Sequence, residues 1–173
     1  ASPYHIGKRE RRAEVLRQRI SSTGLPVVYA NLTGGQDELV FDGGSFVLDS
    51  RGTLCGQLPQ FEEALGIVDF VDGEPQPTTI LTPPCQEAEI YQALVLGVRD
   101  YLGKNGFPGA LIGLSGGIDS ALTLCVAVDA LGADKVRAVM MPSPYTAELS
   151  LSEAREMVRL LGVRYDEIAI EPA

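Results

Sequence analysis

Gly113-Leu-Ser-Gly-Gly-Ile-Asp-Ser120 joins an apolar run, Ala110 to Leu114, to a segment of helical periodicity running from about Asp119 to Leu131, before Gly132. A glycine-rich turn between a strand and a helix is an anion cradle in physical terms. Glycine lets the backbone approach a ligand closely and take conformations closed to other residues. Successive N–H groups in such a turn form a concave nest for oxyanions, and the following helix adds unpaired N–H donors and a positive dipole end. Ser115 and Ser120 bring hydroxyl donors. Asp119 sits badly beside phosphates unless a cation neutralises it, and Mg²⁺ binds through one or two carboxylates plus phosphate oxygens. The stretch has no Lys before its last Ser, so it is not the G-x-x-x-x-G-K-[ST] loop, and it does not fit G-x-G-x-x-G. The plain alternative makes Asp119 a helix N-cap and the glycines a tight turn.

Outward from the loop the pattern alternates. Toward the C-terminus, Val136-Arg-Ala-Val-Met-Met141 reads as a strand. Ser150-x-x-Glu153 reads as a capping box opening a helix that Gly162 closes, and Val163 to Ile170 reads as a third strand. Toward the N-terminus, Ile90, Leu94, Val98 and Tyr101 mark one face of a helix over 86–104. The order β-α-β-α-β with apolar strands predicts a parallel sheet wrapped by helices, an α/β fold.

Four prolines in Gly73-Glu-Pro-Gln-Pro-Thr-Thr-Ile-Leu-Thr-Pro-Pro84 exclude a helix or a central strand there. This stretch reads as a linker and divides the chain into residues 1–72, a linker over 73–85, and residues 86–173. The first part reads as a helix over 9–22 closed by Gly24, then short strands: 26–32, 38–41, 45–49 and 53–58. Gly34-Gly35, Asp42-Gly-Gly44 and Ser50-Arg-Gly52 are read as turns.

Bulk composition narrows the classes. The chain has 173 residues, 45% of them apolar, with 14 Lys+Arg against 23 Asp+Glu. Enough apolar surface exists to offset chain entropy, so whole-chain disorder is excluded. No run approaches the ~18 apolar residues of a membrane helix. A net charge of −9 argues against a general nucleic-acid binder. Lys8, Arg9, Arg11, Arg12, Arg17 and Arg19 cluster near the start, and the spacing of Ala13, Leu16 and Ile20 assigns them to the wet face of a helix. Cys55, Cys85 and Cys125 are odd in number and lack C-x-x-C spacing, which fits neither a disulfide framework nor a zinc site. A reducing, cytoplasmic compartment fits best. The first residues carry no apolar signal core.

The loop motif resembles that of the PP-loop ATP pyrophosphatases, the adenine nucleotide alpha-hydrolase-like fold, whose members split ATP into AMP and pyrophosphate while adenylylating a substrate. Residues 89–107 resemble the helix preceding that loop in glutamine-dependent NAD⁺ synthetases. Met141-Pro-Ser-Pro-Tyr-Thr146, with Ser150, Ser152 and Leu160-Leu-Gly-Val163, resembles the second strand, loop and helix of the same family. Ser2-Pro-Tyr-His-Ile-Gly-Lys8 and residues 34–45 are similar to the later part of its nitrilase-like glutaminase domain. One departure is Pro144, where many relatives carry Arg or Lys, so no basic contact is carried over. Tyr145 reads equally as loop packing or a nucleotide contact.

The resemblance implies the end of a nitrilase-like α-β-β-α domain followed by the first β-α-β-α-β part of a Rossmann-like parallel-sheet domain. It implies ATP binding by Gly113, Leu114, Ser115, Gly116, Gly117, Ile118, Asp119 and Ser120, with Mg²⁺ on Asp119 and Met140–Pro142 near the adenine. It implies that Ser2 and Lys8 bind the substrate glutamine, for which an ammonium facing an α-carboxylate is reasonable chemistry. It also implies deamido-NAD⁺ as second substrate and a homo-oligomer. The family's glutaminase Cys, Glu and Lys are expected upstream of residue 1, so no catalytic residue is expected within the chain. Cys55, Cys85 and Cys125 are read as packing or incidental thiols. The family's synthetase domain continues further, so the chain is expected to be an internal fragment, inactive alone. Two other readings stay open at this point: another PP-loop amidotransferase with a different acceptor, and a non-catalytic ATP-binding module.

Overall fold

The computed structural model describes residues 1–170 and divides into two compact units, Ala1–Gly97 and Val98–Ala173. Helix α1 (Lys8–Thr23) opens the first. It ends at Gly24, a left-handed residue whose N–H bonds the Ile20 carbonyl at 2.7 Å. Strands β1 (Val27–Tyr29), β4 (Phe46–Leu48) and β5 (Leu54–Gln57) form an antiparallel sheet in the order β1-β4-β5. Ile20, Phe46 and Leu48 are buried together beneath α1, joined by Leu16 and Tyr29. Full burial of each such side chain is worth about 1.5–3 kcal/mol.

Gly34 and Gly35, expected to turn the chain, instead lie inside β2 (Thr33–Gln36), which pairs antiparallel with β3 (Leu39–Asp42). Both are buried, and glycine inside a strand often marks a close approach of another backbone. The turn falls at Asp37-Glu38, with Asp37 at φ 51°. Asp72 and Gly73, both at positive φ, close a small ribbon between β6 (Phe70–Val71) and β7 (Glu74–Pro75), the backbone a type I′ turn needs. The proline-rich stretch is not free along its length. Thr78 N–H donates to Cys55 O at 2.7 Å and Gln57 N–H to Thr79 O at 3.1 Å, so the threonine peptides between prolines cover the β5 edge.

Helix α2 (Gln86–Lys104) matches the expected bounds and spans the division between the units. Its Ala93 and Leu96 are buried with Phe61 in the first unit. The second unit holds β8 (Ala110–Gly113), α3 (Ile118–Leu131), β9 (Val136–Met140), α4 (Glu148–Leu161) and β10 (Arg164–Glu167). The strands are parallel in the order β10-β9-β8, as the alternating pattern requires. Leu124 of α3 and Ala154 and Val158 of α4 share one core with Val136, Ala138 and Met140 of the central strand. Arg137 of β9 pairs with Asp166 of β10, and Arg155 of α4 with Glu167 of β10, both pairs partly exposed.

The expected capping box does not form. The N-cap of α4 is Ala147, three residues before Ser150, and Ser150 lies within the first turn. Ser143 and Thr146 close the preceding loop themselves: Ser143 N–H donates to Thr146 Oγ1 at 2.9 Å and Thr146 N–H to Ser143 O at 3.0 Å. The chain therefore enters the helix before it reaches Ser150. Among the described residues no helix is long and apolar enough to cross a membrane.

Candidate functional site

β8 pairs with β9 up to Gly113↔Val139, and Leu114 N–H extends the ladder to Val139 O at 2.8 Å. Leu114 is buried, so the chain leaves the core at Ser115. This is the carboxyl end of the parallel strands, where open α/β sheets bind ligands. Gly116 has φ +80°, and a Cβ there would overlap the Ser150 backbone. Only glycine lets the loop lie against the first turn of α4.

The two serines hold the loop. Ser120 Oγ–H donates to Gly117 O at 2.9 Å. Its only proton is thereby committed, so Ser115 is the donor across the 2.9 Å Ser115–Ser120 hydroxyl pair. Ser120 Oγ also accepts from Ser115 N–H at 3.2 Å, and Ser115 Oγ from Gly117 N–H at 3.3 Å. Both hydroxyl protons, expected from the sequence to meet a ligand, are thus used inside the loop and fix its shape. What the loop offers outward is backbone. Ala121 N–H is the first to bond back, to Gly117 O at 3.1 Å. The N–H groups of residues 118–120 remain for solvent or an anion at the positive end of α3.

Asp119 is the second residue of α3 and is exposed; the N-cap is Gly117, with no side-chain cap bond. The N-cap alternative for Asp119 therefore fails. Its carboxylate meets no donor or cation among the described residues. No cluster of three or more His, Cys, Asp or Glu side chains suited to a metal occurs among them either. A free carboxylate beside unpaired backbone N–H groups fits Mg²⁺, which binds through one or two carboxylates plus phosphate oxygens. Tyr145 is 95% exposed, which removes the packing reading for its ring. Its peptide N–H bonds Ser143 Oγ at 3.2 Å, in the turn that displaces the ring from any core.

In the first unit, Ser2 and Lys8 line one cavity of about 300 Å³ with Arg11, Arg12 and Tyr29. Arg12 is not on the wet face. It is buried in a two-pronged ion pair with Asp42, Nη1 to Oδ2 at 2.8 Å and Nη2 to Oδ1 at 2.7 Å. The signal was present in the sequence: Arg12, Leu16 and Ile20 are spaced i, i+4, i+8, which puts Arg12 in line with the apolar stripe. Arg12 also donates to Ser2, from Nε to Oγ at 3.2 Å and from Nη2 to the carbonyl at 2.6 Å. Asn31 accepts from Ser2 N–H at 3.0 Å. Burial pushes the Cys55 and Cys125 thiols up, the opposite of what a nucleophile needs.

A family model described as NAD synthase matches residues 90–173, which include the whole loop. The chain is 48% identical over 174 residues to the glutamine-dependent NAD(+) synthetase of Rhodobacter capsulatus, covering 98% of this chain and 32% of that protein. It is 45% identical to the enzyme of the same name from Acinetobacter baylyi, again covering 32% of it. The solved glutamine-dependent NAD⁺ synthetase of Acinetobacter baumannii, in complex with adenosine diphosphate, superposes with a TM-score of 0.95 at 44% identity. That alignment covers 99% of this chain and 33% of that one. The chain thus spans about a third of the length of the relatives it matches. Along nearly its whole length, its strand–loop–helix turn included, the chain is similar to about one third of the length of glutamine-dependent NAD⁺ synthetases.

Proposed function

We propose that the protein makes NAD⁺ from deamido-NAD⁺ with ATP, using ammonia released from glutamine. The supporting observation is the self-bonded loop at 113–120, which presents backbone N–H groups and one unpartnered carboxylate at the end of a parallel sheet. The A. baumannii relative, solved in complex with adenosine diphosphate, supports an adenine nucleotide as ligand. In this reading Gly113 to Ser120 would embrace the ATP phosphates, and Asp119 would be the ligand this chain offers Mg²⁺. The ion supplies positive charge to the phosphate oxygens when bound. The loop N–H groups orient the α-phosphorus toward the deamido-NAD⁺ carboxylate. A carboxylate oxygen attacks that phosphorus, and pyrophosphate leaves. Ammonia then attacks the acyl carbon of the adenylate, AMP leaves with the bonding pair, and the amide forms.

Residues 1–72 would be the later part of a nitrilase-like glutaminase domain, 73–85 a linker, and 86–173 the start of the synthetase domain. Ser2 and Lys8 would hold the glutamine, and their shared cavity supports that pairing. Lys8 at the start of α1 and Arg11 one turn on give the cavity the positive charge a carboxylate seeks. The glutaminase nucleophile would lie outside this chain. The reading also carries a cytoplasmic location, consistent with three free thiols, and a homo-oligomeric assembly. The test is pyrophosphate release from ATP with deamido-NAD⁺ in the full-length protein. Asp119→Ala abolishes it if the reading holds; near-normal release refutes the assignment of Asp119.

A further inference from the structure

Ser2 lies in a segment, residues 1–5, without regular secondary structure. Something must hold it if its hydroxyl is to face a ligand in one orientation. The contacts that do so come from two side chains, Arg12 and Asn31, of which only Arg12 reaches the hydroxyl; Asn31 Nδ2 donates to the Ser2 carbonyl at 3.4 Å. Arg12 binds Ser2 at two atoms, Oγ and the carbonyl oxygen, while Asn31 takes the Ser2 N–H. Arg12 is itself clamped by Asp42, which is 1% exposed and also accepts from Asn31 Nδ2 at 3.3 Å and Gln60 Nε2 at 3.2 Å. Asp42 is placed by backbone: Phe61 N–H bonds its carbonyl at 2.9 Å, and Gly43 and Gly44 turn away at φ 62° and 60°.

The chemistry of this chain of contacts is directional. A guanidinium only donates. Its Nε therefore takes a lone pair of Ser2 Oγ, and the hydroxyl proton must point elsewhere. Ser2 and Arg12 both line the cavity that also holds Lys8. The charge of Arg12 is matched by Asp42, so it adds orientation rather than net charge, which Lys8 and Arg11 supply.

We propose that Arg12, locked by Asp42, is a positioning residue that fixes the Ser2 hydroxyl as a hydrogen-bond donor to an oxygen of the substrate glutamine. This rests on the reading that Ser2 and Lys8 bind glutamine. Arg12 touches no reacting atom; its effect reaches the substrate through one hydroxyl group.

The test compares glutamine with ammonium chloride as nitrogen source for NAD⁺ formation, on the same preparation of full-length protein. Arg12→Lys keeps a cation beside Asp42, but its three donors cannot replace the two bonds to Asp42 and the two to Ser2. It is expected to raise the KM for glutamine about tenfold or more relative to the KM for ammonium, as loss of a charge-assisted hydrogen bond does. Ser2→Ala is expected to raise it comparably. The double variant Ser2→Ala/Arg12→Lys is expected to be no worse than either single one, because both act through the same hydroxyl. Asp42→Asn is a second route to the same split. A double variant showing the product of the two single effects overturns the proposal, as does an equal rise in KM for both nitrogen sources. If Ser2→Ala and Lys8→Ala both leave the glutamine KM unchanged, it is the glutamine reading itself that fails.

Discussion

Gly116→Ala is the most informative substitution in the loop. Gly116 sits at φ +80°, and the carbonyl oxygen, carbonyl carbon and Cα of Ser150 occupy the place a Cβ would take. A left-handed conformation costs an L-residue about 1–2 kcal/mol. Relieving overlap against backbone, which cannot rotate aside like a flexible side chain, adds about 1–3 kcal/mol. The sum, about 2–5 kcal/mol, is a large fraction of the ~5–15 kcal/mol that holds a domain folded. The second unit must then either lose stability or lift the loop from α4, and lifting it spoils the cradle. The controls are its neighbours. A Cβ at Gly113 meets nothing within 4 Å, and one at Gly117 meets only Ser115 Oγ at 3.4 Å. Gly113→Ala and Gly117→Ala should therefore unfold within about 0.5 kcal/mol of the parent. Urea denaturation and pyrophosphate release, measured on all three full-length variants, separate the effects. The reasoning is refuted if Gly116→Ala denatures and turns over ATP as the parent does.

Three further predictions follow from single side chains. Asp119→Ala should cost no more than about 1 kcal/mol in urea denaturation, since the exposed carboxylate meets only the α3 dipole among the described residues, while removing Mg-ATP-dependent pyrophosphate release. Leu124→Ala should cost about 2–5 kcal/mol in denaturation, since Leu124 is fully buried in the core beneath the sheet. Glu89→Gln should stabilise the fold at pH 7 but not near pH 4. Burial raises the Glu89 carboxyl above its usual 4.5, with Arg9 opposing and Glu10 and Asp42 reinforcing the rise. Stability tied to the protonated form is complete below the unfolded-state pKa and is lost as pH climbs through the folded one. Thermal melts of both proteins across that window check the sign.

Much of this was legible in the sequence because the deciding signals are local. Helix α2 keeps the expected bounds, with Asn105-Gly106 at its end, but its buried residues are Glu89, Ala93 and Leu96, whereas Leu94 and Tyr101 of the expected face are exposed. The parallel sheet follows from apolar strands alternating with helices. What escaped depends on contacts far apart in the chain. Arg12 sits in line with Leu16 and Ile20, but nothing local says that Asp42 waits to neutralise it. Gly34 and Gly35 read as a turn by type, yet both lie buried inside a strand whose partner is set by the Asp37-Glu38 turn that follows. Ser150-x-x-Glu153 satisfies a capping rule, and the Ser143–Thr146 turn starts the helix earlier all the same. At the loop, glycine and serine identity announced a cradle, while the assignment of both serine protons to the loop needed coordinates.

The most direct test of the account is the product balance of the full-length protein supplied with ATP, Mg²⁺, deamido-NAD⁺ and glutamine. The account predicts equal amounts of NAD⁺, AMP and pyrophosphate, with none formed when deamido-NAD⁺ is omitted. ADP and inorganic phosphate as the products, or AMP release independent of deamido-NAD⁺, would contradict it.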